Sequence, residues 1–122
     1  MKWSAVGAGL LGLAVILGAF GAHVLRGKLD AYAMGVYESA VFYHFIHAIG
    51  LLVVPVMVRM NAVRQPAGKL VCALLLAGVI CFSGSLYLLA VTGTRWLGAV
   101  TPIGGVCCIA AWRALAVAIA QH

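Results

Sequence analysis

Four histidines, two carboxylates and a few hydroxyl side chains are the groups here whose types could do chemistry. His44 and His47 are spaced i, i+3, which on a helix sets them about 60° apart. Two imidazoles so placed can share a metal, but two ligands leave a site incomplete. No third ligand stands at a fixed spacing from them. Haem needs axial ligands facing one pocket, and His23 with His44 is the one conceivable pair. No cofactor and no metal is expected on this basis. His47 lies beside Ala48 and Gly50 and reads more simply as a hydrogen-bonded packing residue. Glu38 and the histidines could titrate in a polar cavity. Enzyme signatures are missing: there is no phosphate loop, no G-x-S-x-G, no H-E-x-x-H and no carboxylate pair. Phe82-Ser83-Gly84-Ser85 looks like a nucleophile elbow but lacks the leading glycine and a strand–turn–helix setting. Cys72, Cys81, Cys107 and Cys108 form no C-x-x-C and lie in apolar runs, where cysteine acts as a small hydrophobe.

The elements that must position these groups follow from composition. Of 122 residues, 66% are hydrophobic and 8% charged. A soluble domain carries about 25% charged residues, so ten charges cannot cover a water-facing surface of this size. Disorder is excluded by the high hydrophobicity. A membrane-crossing helix needs about 20 apolar residues, and four stretches qualify: 4–22, 38–58, 70–91 and 98–118. The first exceeds the 7–15 apolar residues of a signal peptide core, so it is read as a span despite the small residues at Ala19-Phe20-Gly21-Ala22. Pro55 is expected to kink the last turn of the second. Arg113 leaves the far end of the fourth open: it marks the interface, or the helix continues and the side chain reaches toward headgroups. The connectors 23–37, 59–69 and 92–97 are too short for a soluble domain, though Leu25, Leu29, Tyr32 and Val36 suit a short interfacial helix. The expected fold is all-α, an integral membrane four-helix up-down bundle with short connectors, one membrane domain over 1–122.

The net charge of +6 comes from cations standing singly between apolar runs. That pattern suits span flanks and not nucleic acid. Lys2, Arg59, Arg64 and Lys69, with Arg113, fall on the side of the N-terminus, and Arg26, Lys28 and Arg95 on the other. The excess of five over three favours both termini in the cytoplasm.

Small residues mark helix contacts in lipid. Candidate packing stripes are Ala14, Gly18 and Ala22 in the first span, Gly78, Cys81 and Ser85 in the third, and Gly104, Cys108 and Ala111 in the fourth. Alternating helix direction brings His23, Glu38, Ser39, His44, Ser85, Tyr87 and Thr101 to a similar membrane depth. Arg113 falls in the opposite half. Polar groups inside a span raise a functional hypothesis by default, and three readings compete. The cluster pins the bundle's register, or it forms a cavity for an ion, proton or small ligand, or it serves catalysis or cofactor ligation. The first is preferred.

Four segments carry a resemblance. They are Gly18-Ala19-Phe20-Gly21-Ala22-His23, then Glu38-Ser39-Ala40 leading to Tyr43-His44-x-x-His47-Ala48, then Phe82-Ser83-Gly84-Ser85-Leu86-Tyr87, and Thr101-Pro102-Ile103-Gly104-Gly105 with Trp112. In this order they resemble the domain-of-unknown-function family 423 of small bacterial inner-membrane proteins, related to a eukaryotic family of small transmembrane proteins. The resemblance implies a multi-pass protein of about this length and no established activity, substrate or cofactor. It carries motif roles to Phe20, Gly21, His23, Tyr43, His47, Ser83, Gly84, Tyr87, Pro102, Gly104 and Gly105. The expected function is a non-enzymatic structural or accessory role in the inner membrane, with the lipid bilayer as the first partner, self-association left open and any protein partner unknown. The alternative is a small oligomeric transporter or channel, since four short helices enclose little lumen alone.

Overall fold

The structure is a computed structural model that describes residues 1–121; His122 lies outside the described residues. Four helices carry the fold: α1 (Lys2–Leu25), α2 (Ala31–Arg59), α3 (Ala67–Thr92) and α4 (Arg95–Ala120), each long and apolar enough to cross a membrane. No strand occurs among the described residues. Consecutive helices run antiparallel, α1 packs on α2 and α4 on α3, and α2 meets α3 across the middle. One core joins Leu51 and Val54 of α2 to Val71, Cys72 and Leu75 of α3 and to Ala111 and Leu115 of α4. A smaller one holds Leu25, Met34, Tyr37 and Ala90 at the other end.

Beyond these apolar cores, large apolar side chains also cover the outside, unlike a water-soluble bundle. Ile16, Ile80, Val106 and Ile109 face outward, while Ser4, His44, His47, Ser83 and Ser85 are buried. Such an arrangement suits hydrocarbon outside, where polar groups must be satisfied within the protein. The chain is an integral membrane four-helix bundle.

The helices run further than the apolar stretches alone marked. Residues 31–37 form the start of α2 and not a separate interfacial helix. Asp30 explains the boundary, because its carboxylate accepts the main-chain N–H of Ala33 at 2.7 Å and caps the helix. Leu25 ends α1, whereas Tyr32 and Val36 sit in the opening turns of α2. At 29 residues α2 is about 43 Å long, so part of it extends past a hydrocarbon core of roughly 30 Å unless it tilts. Pro55 lies inside α2, which continues to Arg59. α4 passes through Arg113, which is exposed, and ends at Ala120. Gly93 closes α3 at φ 71°, the left-handed conformation that favours glycine.

Two turns are wider than α. At the end of α1, Arg26 N–H bonds the carbonyl of Gly21 five residues back, at 3.0 Å. In the middle of α3, residues Val79–Ser83 form the second wide turn, with Gly84 N–H directed to the Val79 carbonyl. Each inserts one residue and re-aims the side chains beyond it.

Small residues set the closest approaches. A Cβ on Gly7 would stand 2.7 Å from the Leu52 nitrogen of α2. A Cβ on Gly104 would collide with the α3 backbone at Cys81 and Phe82, and one on Gly78 with the Cys108 sulfur. Ala14, Cys108 and Ala111 are buried, and Gly18 faces Val41. Ala22, expected on the α1 stripe, is exposed, and Gly21 faces Tyr37 instead. Steps of four residues drift about 40° each around a 3.6-residue helix, which carries Ala22 off the contact line.

Gly104→Ala should therefore cost about 1–3 kcal/mol, because the clash is with backbone. Gly105→Ala, whose Cβ would meet only the Phe82 ring at 3.8 Å, should stay within about 0.5 kcal/mol of the parent. Thermal unfolding of both variants in detergent measures the difference.

Candidate functional site

The centre of the bundle holds a dyad between α2 and α3. His44 Nδ1 and the Tyr87 hydroxyl are 2.8 Å apart. His44 is 2% exposed, and its Nε2 has no hydrogen-bond partner. The Tyr87 hydroxyl donates to Nδ1 in one imidazole tautomer and accepts from Nδ1–H in the other, and in both Nε2 is left without a hydrogen bond. Tyr87 also meets Tyr37 edge to face at 5.3 Å.

A second pair joins α3 to α4. Ser85 Oγ lies 2.6 Å from Thr101 Oγ1 and 3.0 Å from the Phe82 carbonyl. Thr101 Oγ1 also lies 3.4 Å from the Leu97 carbonyl, so each hydroxyl has a carbonyl of its own helix within reach and the bond between the two is donated by one or the other.

The remaining members expected at this depth sit on the perimeter. Glu38 pairs with Arg26 at 3.3 Å, with both side chains more than half exposed. His23 and Ser39 are exposed. The seven residues thus fall into the His44–Tyr87 dyad, the Ser85–Thr101 pair and an outer group. The reason is azimuth. Six residues separate Glu38 from His44, which turns one about 240° from the other around α2.

Three further bonds were not foreseen from sequence. Tyr37 O–H donates to the Leu17 carbonyl of α1 at 2.5 Å. Ser83 O–H donates to the Ala40 carbonyl of α2 at 2.8 Å. Ser4 O–H donates to the Leu52 carbonyl of α2 at 2.8 Å. Ser83 and Tyr87 stand in one motif, which gave a signal; Ser4 gave none. An aromatic frame also surrounds His47. Tyr43 stacks on it at 6.1 Å and 25°, and Trp112 of α4 lies 5.8 Å away. Among the described residues, no three His, Cys, Asp or Glu side chains are grouped to hold a metal. The four cysteines are free.

Fold and site together define a small multi-pass membrane protein whose internal polar groups tie one helix to the next. The chain belongs to the family described as "Protein of unknown function (DUF423)", whose model matches residues 17–105. It is 43% identical over 113 residues to the UPF0382 membrane protein YwdK of Bacillus subtilis, covering 90% of this chain and 89% of that one. A UPF0382 membrane protein of Staphylococcus haemolyticus is 47% identical over 104 residues, covering 84% and 82% of the two chains. One from Staphylococcus epidermidis is 46% identical over 107 residues, covering 87% and 84%. No solved structure matches the chain.

Removing either partner of the dyad leaves a buried polar group unpaired. His44→Phe and Tyr87→Phe should each lower the unfolding free energy, and the double variant should lose less than their sum. The coupling expected for a hydrogen bond between membrane helices is about 0.6 kcal/mol, at most about 1.7, read from a double-mutant cycle in detergent.

Proposed function

We propose that this chain is a non-enzymatic accessory protein of the bacterial inner membrane, acting through its outer surface on another membrane component. One observation carries the reading. The hydroxyls of Ser4, Tyr37, Ser83, Tyr87 and Thr101 are each engaged on another helix, so the polar chemistry of the interior serves to close the bundle. What it presents outward is apolar and aromatic: Phe42, Tyr43, Ile103, Ile109 and Trp112.

The four crossings put both termini on one side. The cations near Met1 and in the 59–69 connector, set against Arg26, Lys28 and Arg95, support a cytoplasmic location for that side. A fluorescent protein fused after residue 122 should then fold and fluoresce, and a periplasmic phosphatase at the same place should stay inactive. Liposomes containing the purified protein should hold a pH gradient as long as protein-free ones. A leak that disappears in His44→Phe would replace the accessory reading with conduction.

A further inference from the structure

A groove of about 390 Å³ lies between α2, α3 and α4, lined by Tyr43, His47, Phe82, Gly105, Ile109 and Trp112 among others. Ligand sites span roughly 300–1,000 Å³ and combine apolar walls with one or two placed polar groups. His47 is that polar group here. It is 4% exposed, and its Nδ1 lies 2.7 Å from the Tyr43 carbonyl. A carbonyl can only accept, so Nδ1 carries the proton. In the neutral imidazole Nε2 then holds a bare lone pair. No hydrogen bond is made to it among the described residues. It is also not sealed inside the protein: His44 Nε2 alone is both fully buried and unpaired there.

We propose that this groove binds a lipid-soluble phenol, of the alkylphenol or hydroquinone type, whose hydroxyl donates to His47 Nε2. The walls specify the ligand. Tyr43 and Phe82 lie 4.8 Å apart, and Tyr43 and Trp112 flank the imidazole. Such a frame favours a flat ring over a branched aliphatic alcohol. The polar atom required is a donor, which excludes a quinone or an ether. His47 sits near the middle of α2, so the occupant enters sideways from the bilayer. Ile109, 70% exposed, stands at the lining. The wide turn at Val79–Ser83 contains Phe82, and such turns occur often at functional sites. A Cβ at 105 would meet the Phe82 ring at an ordinary contact of 3.8 Å, so a side chain larger than alanine is needed there to fill the groove. The site does not depend on a protein partner.

The test uses full-length protein in nanodiscs with Trp3→Phe and Trp96→Phe, so that Trp112 is the remaining indole. The probes are a brominated nonylphenol and its methyl ether, and the readout is heavy-atom quenching of Trp112 fluorescence. The phenol should quench saturably, with half-saturation about tenfold lower than the ether, the upper value for one hydrogen bond. His47→Phe should erase that preference. His47→Gln, which offers an acceptor at similar reach, should recover part of it. Gly105→Leu should remove saturable quenching by both probes. Equal, non-saturating quenching by phenol and ether in the parent would mean simple partitioning into lipid and would overturn the proposal. So would a preference that survives in His47→Phe. Should His47→Phe fail to fold, the phenol-to-ether ratio in the parent and the Gly105→Leu result still decide.

Discussion

In hydrocarbon, a polar group that faces no partner has no water to turn to. That constraint organises this molecule. Each helix satisfies its own main chain, and most of the few polar side chains turned inward find partners on neighbouring helices. Ser4, Tyr37 and Ser83 do so by donating to carbonyls that already belong to a helix. Such bonds require the helices to lie close, which Gly7 and Gly104 permit by presenting bare backbone to the opposite chain. Contact between helices and polar satisfaction are therefore one requirement, because the usual hydrophobic drive is absent between helices in lipid.

The two wide turns fit the same logic. They overlap two of the four motif segments, Gly18–His23 and Phe82–Tyr87. At the second, Ser83 reaches α2, Ser85 reaches α4, and Gly104 crosses directly over Phe82. A straight α-helix would send these side chains in other directions, since one inserted residue rotates everything beyond it by about 100°. Segments far apart in sequence, from Tyr43 to Gly105, thus meet at the middle of the bundle.

His44 and His47 illustrate how one helix gives two imidazoles different surroundings. His44 points inward, toward Tyr87 of α3. His47 uses Nδ1 on its own helix and stands among the side chains lining the groove beside Trp112. Their spacing is one at which two imidazoles can share a metal, and their hydrogen bonds assign them separate neighbours. The packing reading of His47 holds for Nδ1 and says nothing of Nε2.

Much of the fold was legible in the chain because hydropathy is additive: long uncharged runs set the number of crossings and the all-helical class. Family membership was legible as well, from motifs in fixed order. Depth was also readable, since rise per residue is constant, and it placed His44 with Tyr87 and Ser85 with Thr101 at matching levels. Helix ends were less so, because Asp30 capping and the interfacial start of α2 depend on local hydrogen bonds rather than hydropathy. Azimuth was out of reach. Glu38 and Ser39 share depth with His44 but face away from it, and Ala22 turns outward where Gly21 turns in. Which face of a helix meets its neighbour is decided by packing and by where a turn widens. Those choices involve residues distant along the chain, and so only the tertiary structure makes them.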